Sequence, residues 1–266
     1  MINPQQDVAL GERQAYSGGM NRALTVALVF ALALPARATG VVQLTGHPNW
    51  PPFSWQDGGK IVGIGADLAE IVFNDVGLSV RAASSGNWKR AQAQVEFGAV
   101  DVLVAAYQTR ERSVYMAYPK NAFMEDVNVL WVERGRQFAF REWADLKGKK
   151  GTAMLGESYG QRFDDYIKQH LQIDWVSTPG QSLQKLSLGR ADYYPFSLHG
   201  GMIQIRQMGL GKRITYIDKP ISAEGIYITI SRKSKYIAYL PRIDAAIKAR
   251  LADGTVDRLI RKHTPD

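Results

Sequence analysis

A few residues of this chain have the type and setting to do chemistry. The turn Gly156-Glu157-Ser158-Tyr159-Gly160 opens onto a helical pattern, and free backbone N–H groups at such a turn, with the positive end of the helix dipole, suit an anion. Ser158 to Gln161 also spells a capping box, and both uses are compatible because the cap would order the turn. Arg112 follows Thr109, a natural N-cap; its planar fork can grip a carboxylate through two parallel bonds, or simply face water from a short helix. Trp50 lies in the Pro-rich loop His47 to Phe53, where it has less reason to be buried, whereas Phe53 reads as core. Trp88 falls on the apolar side of its helix, so packing competes with a ligand-facing role. His170, His199 and His263 have no second metal-type ligand at useful spacing, and the chain has no cysteine. Phosphate loops, zinc-protease motifs and nucleophile elbows are absent from the sequence, so no metal, no cofactor and no catalytic constellation is expected.

The elements that must position these groups alternate between strand and helix. Val41 to Gly46, Ser79 to Ala83 and Asp101 to Ala106 read as strands. Between them lie a helix through Leu68, Ile71, Val72 and Val76 and another capped by Asn87 and ended by Gly98. After a strand at Val127 to Val132 the grammar restarts: Gly151 to Leu155, a helix through Phe163 to Leu171, Ile173 to Val176, a helix through Leu183 and Leu186, then Tyr193 to Phe196 and Arg213 to Ile217. Gly225 to Ser231 and two helices, through Leu240 to Leu251 and Val256 to Ile260, finish the chain. This order predicts an α/β fold in two lobes. The 266 residues, 45% hydrophobic, can bury a sizeable core, and Asp101 and Asp192 read as holding turns. The net charge of +8 favours anionic partners, but the basic residues are dispersed, densest at Lys147 to Lys150, so nucleic-acid binding is not expected.

Several short motifs in one order resemble the periplasmic solute-binding proteins of the amino-acid-binding type, bacterial extracellular solute-binding family 3. These are Trp50-Pro-Pro-Phe-Ser54, Gly59 to Leu68, Gly98-Ala-Val-Asp101, Thr109-Arg-Glu-Arg112, Leu146-Lys-Gly-Lys149 with Gly156-Glu-Ser158, Gly189-Arg-Ala-Asp192 and Asp253-Gly-Thr255. The resemblance implies a type II two-lobed fold with two crossovers and a ligand cleft between lobes: 41–123 plus 223–266 as lobe 1, 124–222 as lobe 2. It implies that Arg112 grips a ligand carboxylate, that Trp50 and Trp88 wall the ligand, and that Ser158 with Gly156 and Tyr159 offers a helix N-terminus from lobe 2. Against the family pattern, Ser197 stands where an acid usually meets the ligand's ammonium, His47 replaces a common aspartate, and Tyr107 replaces serines at a strand end. Glu157 could stand in for the missing acid. A cleft lacking that acid disfavours ordinary α-amino acids and points to an amino-acid-like or other small carboxylate.

Ahead of this, Arg22, the apolar run Ala23 to Leu34 and Ala36-Arg37-Ala38 form an export signal, 20–38, cleaved near Ala38. Twelve helical residues rise about 18 Å, too short to span a bilayer of roughly 30 Å. Residues 1–19 read as an upstream over-extension, with Met20 as the start. The expected protein is a periplasmic monomer that closes on a solute and delivers it to an ABC permease made of separate chains. A chemoreceptor-linked sensing protein, or an enzyme on the same fold resembling cyclohexadienyl dehydratases, is the alternative. For the enzyme only Glu157 and His47 are placed to move a proton.

Overall fold

Val102–Ala106, five consecutive apolar residues, is buried on both faces and takes the middle of the main sheet. Val41–Gly46 lies parallel beside it, with Ser79–Ala82 parallel on the outer edge. The helices Ile64–Asp75 and Trp88–Phe97 make the crossovers between these strands. Asn87 caps the second of them by accepting the Arg90 N–H at 2.9 Å, and Gly98 ends it in the left-handed region. The computed structural model describes residues 40–264, so the expected export segment and the stretch before it lie outside the described residues.

On the other side of Val102–Ala106 runs Ile214–Ser231, an antiparallel strand of 18 residues. The separate strands expected at 213–217 and 225–231 are one element, because Met124–Glu133 pairs with both parts. The register shifts between Ile217 and Ser222, where Asp218, Lys219 and Pro220 interrupt the apolar pattern. Through residues 227–230 this strand pairs with Val102–Ala106, and through 214–217 with the far half of Met124–Glu133. Two neighbouring strands thus run from one lobe into the other, and Tyr194–Ser197 closes the far edge of the sheet.

The second lobe adds Lys150–Met154, parallel to Gln172–Val176, with Gly151 bridged to Tyr193. Helix Pro179–Ser187 starts at a full capping box of Thr178 and Gln181. The box expected at Ser158 is absent. Helix Gln161–His170 begins after Gly160, and the Ser158 hydroxyl instead accepts the Gly160 N–H and donates to Asp164. Helix Leu198–Gln207, which the pattern reading lacked, starts where Ser197 Oγ accepts the Gly200 N–H at 3.1 Å. Asp101 and Asp192 hold the backbone N–H groups of Gln43 and Lys150 across adjoining strands. No described helix is long and apolar enough to cross a membrane.

Candidate functional site

The Pro-rich loop folds into a small antiparallel sheet of Asn49–Trp50, Ser54–Asp57 and Lys60–Val62. That folding corrects the expectation for Trp50. Its indole is only 7% exposed, packed against Phe53 and Tyr107 and laid over Gly200, where a Cβ would stand 2.9 Å from the ring. Phe53 is core, as its pattern predicts. Trp88 joins an apolar cluster with Ala91, Val95 and Leu103, so it does pack, yet its ring also carries two polar neighbours. The His47 ring lies 4.8 Å away, and the Arg112 guanidinium sits over the indole at 5.3 Å.

All nine side chains expected at the site, His47, Trp50, Trp88, Tyr107, Arg112, Glu157, Ser158, Tyr159 and Ser197, line one cavity of about 330 Å³. Ala105, Asn128 and Phe196 complete its wall. The strand ends here in a conformation that an L side chain rarely adopts, Ala105 having φ +56°. Strand ends and loops from both lobes therefore meet in one place, as expected where crossovers leave a sheet.

Arg112 is 5% exposed although it sits on a helix of six residues, Arg110–Tyr115, capped by Thr109. Its Nε donates to Gln92 Oε1 at 3.2 Å, Nη1 to the Tyr107 carbonyl at 3.2 Å and Nη2 to the Gly156 carbonyl at 3.1 Å. Trp88 Nε1 and Gln92 Nε2 reach the same Gly156 oxygen at 2.8 and 3.1 Å. Three donors from the first lobe thus converge on one carbonyl of the second. Among the described residues no carboxylate forms an ion pair with Arg112, and two of its five N–H groups have no protein acceptor. A buried cation left so is poised for an anion.

Two acids and one histidine share this low-dielectric space. Burial pushes Glu157 up to about 7, against the bonds its Oε2 receives from Tyr159 at 2.7 Å and Tyr194 at 3.4 Å and the field of Arg112. His47 is held down to about 3, first by burial and then by Arg112, so its ring is neutral. His47 Nδ1 accepts the Asn49 N–H, which leaves the proton on Nε2, a buried atom with no partner 3.8 Å from Glu157 Oε1. That contact is neither an ion pair nor a hydrogen bond. Asp126, fully buried behind the wall, is pushed up to about 7 by desolvation. It accepts from Tyr107 Oη and, at 2.9 Å, from Ser197 Oγ.

Sequence reasoning missed Gln92, Asp126 and Asn128. The last two carried a signal: they alternate as polar residues on one face of Met124–Glu133, a strand whose later residues on that face, Leu130 and Val132, are apolar.

The model of the bacterial extracellular solute-binding proteins, family 3, matches residues 42–266. No curated protein matches the sequence. Among solved structures, the P235GK mutant of ArgBP from T. maritima superposes with a TM-score of 0.71 at 18% identity, covering 84% of this chain and 95% of that one. The arginine-, lysine-, histidine-binding protein ArtJ from Geobacillus stearothermophilus gives 0.70 at 20% identity, with 85% and 96% covered. A histidine kinase sensor domain with similarity to periplasmic binding proteins gives 0.72 at 18% identity, with 85% and 97% covered. At these identities the likeness is one of fold.

Proposed function

This chain belongs to the bacterial extracellular solute-binding proteins, family 3, and from that premise we propose that it captures a small carboxylate or amino-acid-like solute between its lobes. Lobe 1 is assigned to 41–123 plus 223–266 and lobe 2 to 124–222. The solute stabilises the closed arrangement because its contacts come from both lobes. The observation that carries this reading is the buried Arg112 guanidinium, which forms no ion pair among the described residues and lines a cavity walled by Trp50, Trp88, Tyr107 and Tyr159. His47 and Ser158 lie within the same wall. The protein works in the periplasm, as a monomer, after its export signal is cleaved near Ala38, and hands its solute to an ABC permease of separate chains. No cofactor takes part. A receptor-linked sensing role is the second reading, supported by the similar sensor domain of a histidine kinase.

The test is a thermal-shift screen of residues 39–266 against amino acids, amines, small organic acids and prephenate-like compounds. A carboxylate at a hundredfold excess over its Kd adds about 2.7 kcal/mol and raises Tm by roughly 5–10 °C. Shifts confined to amines lacking a carboxylate would overturn the reading. Conversion of a bound compound on long incubation would replace capture with turnover.

A further inference from the structure

Basic residues that are dispersed in the sequence are gathered by the fold at the end of the second lobe remote from the cavity. Ser197 pairs with Asn128 on the cavity wall, and the same two strands run from there to Tyr194 and Glu133. Gly151, bridged to Tyr193, places Lys150 beside Asp192 at that far end. Glu133 also pairs with Ile214, which brings up the segment just before it. There Arg134 donates its N–H to the Arg213 carbonyl at 2.6 Å and its Nη2 to the Gly211 carbonyl at 3.3 Å. Arg136 lies 3.2 Å from Glu133 and 3.6 Å from Asp192, and a Cβ on Gly189 would stand 2.8 Å from its Nη1.

The two acids of this patch are therefore spent, on Arg136 and on the Lys150 N–H. Lys150, Arg190, Lys212 and Arg213 are exposed, and among the described residues their side chains form no hydrogen bond or ion pair. Beside Gly189 the apolar side chain of Leu188 is 59% exposed. Unpaired cations around a projecting leucine fit a lipid headgroup layer, where phosphates take the charge and the acyl boundary takes the leucine. A single-stranded nucleic acid would call for an open aromatic face, but the nearby Phe138 ring is half-buried and covered by Lys149 Nζ at 4.4 Å.

We propose that this end of the second lobe docks on an anionic phospholipid surface. The docked protein keeps its cavity, at the other end of the same strands, open to solute. No group of the cavity takes part, so the proposal stands apart from carboxylate capture.

The experiment is flotation of residues 39–266 with phosphatidylcholine vesicles containing no phosphatidylglycerol or about 40 mol% of it. The apolar run Ala23 to Leu34, which would enter lipid by itself, is left out. At about 100 mM NaCl the Debye length of about 10 Å screens charges on the other lobe. Partitioning is expected to rise at least tenfold with phosphatidylglycerol and to fall about tenfold on going to about 500 mM NaCl. Each basic residue at such a surface strengthens binding about fivefold, so Arg190→Glu/Lys212→Glu/Arg213→Glu should lose more than about thirtyfold. Lys60→Glu/Lys120→Glu/Lys248→Glu, on the first lobe, carries the same net charge and should stay within about threefold. Leu188→Ser should weaken flotation about threefold or more. If the first triple variant fails to fold, Lys150→Gln/Lys212→Gln, two exposed side chains, should still lose about tenfold. Flotation indifferent to phosphatidylglycerol, or equal losses in the two triple variants, overturns the proposal. So does displacement by about 10 mM inorganic phosphate at constant ionic strength, which would mean a pocket for a single anion. Retention on single-stranded DNA without flotation would assign the patch to nucleic acid instead. Every one of these outcomes leaves carboxylate capture as it stands.

Discussion

Replacing Arg112 by Met separates holding the ligand from holding the fold. The guanidinium makes three bonds of 3.1–3.2 Å, at the long end for charge-assisted contacts, so each contributes about 1.5 kcal/mol and together about 4–5 kcal/mol. None of the acceptors is orphaned by its removal. The Tyr107 carbonyl keeps the Tyr118 hydroxyl at 3.1 Å, the Gly156 carbonyl keeps Trp88 and Gln92, and Gln92 Oε1 keeps Tyr115 at 3.4 Å. Against that loss stands the several kcal/mol spent on burying a cation that forms no ion pair among the described residues. Met fills a similar volume without the charge, so the ligand-free variant is expected within about 1.5 kcal/mol of the parent. Losing a bidentate grip of about 3 kcal/mol lowers carboxylate affinity roughly a hundredfold. Urea unfolding without ligand and calorimetry with the best carboxylate probe read the two quantities. Destabilisation beyond about 3 kcal/mol would make the guanidinium a structural member, and an affinity within threefold of the parent would remove it from the site.

Further expectations follow from the same geometry. Asp126 and Glu157, both raised to about 7, bind more protons folded than unfolded between about pH 4 and 7, so their share of stability falls as pH rises through that window. His47, lowered to about 3, does the reverse: the unfolded chain binds its proton below about 6.5, and stability falls as the medium is acidified. His47→Asn removes the opposing contribution, so on going from pH 7 to 4.5 the variant should gain about 2–3 kcal/mol relative to the parent in urea unfolding; parallel pH profiles would contradict a buried neutral imidazole. Gly201→Ala should cost about 1–3 kcal/mol, because the new Cβ would stand 2.3–2.5 Å from three atoms of the rigid Trp131 indole. Gly180→Ala, whose nearest atom is 3.7 Å away in the first turn of a helix, should be neutral or mildly stabilising, and an equal loss of Tm in both would refute the packing argument.

The alternation of strands and helices was legible because its signals are local: Asn87 and Thr109 cap helices, and the apolar run Val102–Ala106 is buried whole. What escaped depends on neighbours distant in sequence. Asp218, Lys219 and Pro220 read as a break, yet Met124–Glu133 pairs on both sides of it and makes one strand of two. Leu198–Gln207 contains Gly200 and Gly201, poor helix formers, but those glycines admit Trp50 and Trp131 against the helix. Of the nine expected site residues, Arg112, Trp50, Trp88, Ser158 and Tyr159 came from matched motifs and His47, Tyr107, Ser197 and Glu157 from departures beside them, and the structure brings all nine to one cavity. Asp126 has no motif. Its meaning appears only when Tyr107, Asp126 and Ser197, far apart in the chain, come within bonding distance.

The point where Trp88, Gln92 and Arg112 meet is a peptide oxygen, that of Gly156. Every residue type carries such an oxygen, so this contact between the lobes depends on the path of the backbone, whereas Arg110 with Asp165, Lys168 with Glu111 and Gln204 with the Asn49 carbonyl join the lobes through side chains of the second. Gly156 keeps that path: its φ is +84°, and a Cβ would stand 2.9 Å from Lys89. The next three positions, Glu157, Ser158 and Tyr159, put their side chains on the cavity wall, whereas the Gly156 oxygen belongs to the backbone. A substitution on that turn can thus alter the wall that a solute would meet and still leave the three donors of the first lobe their shared acceptor.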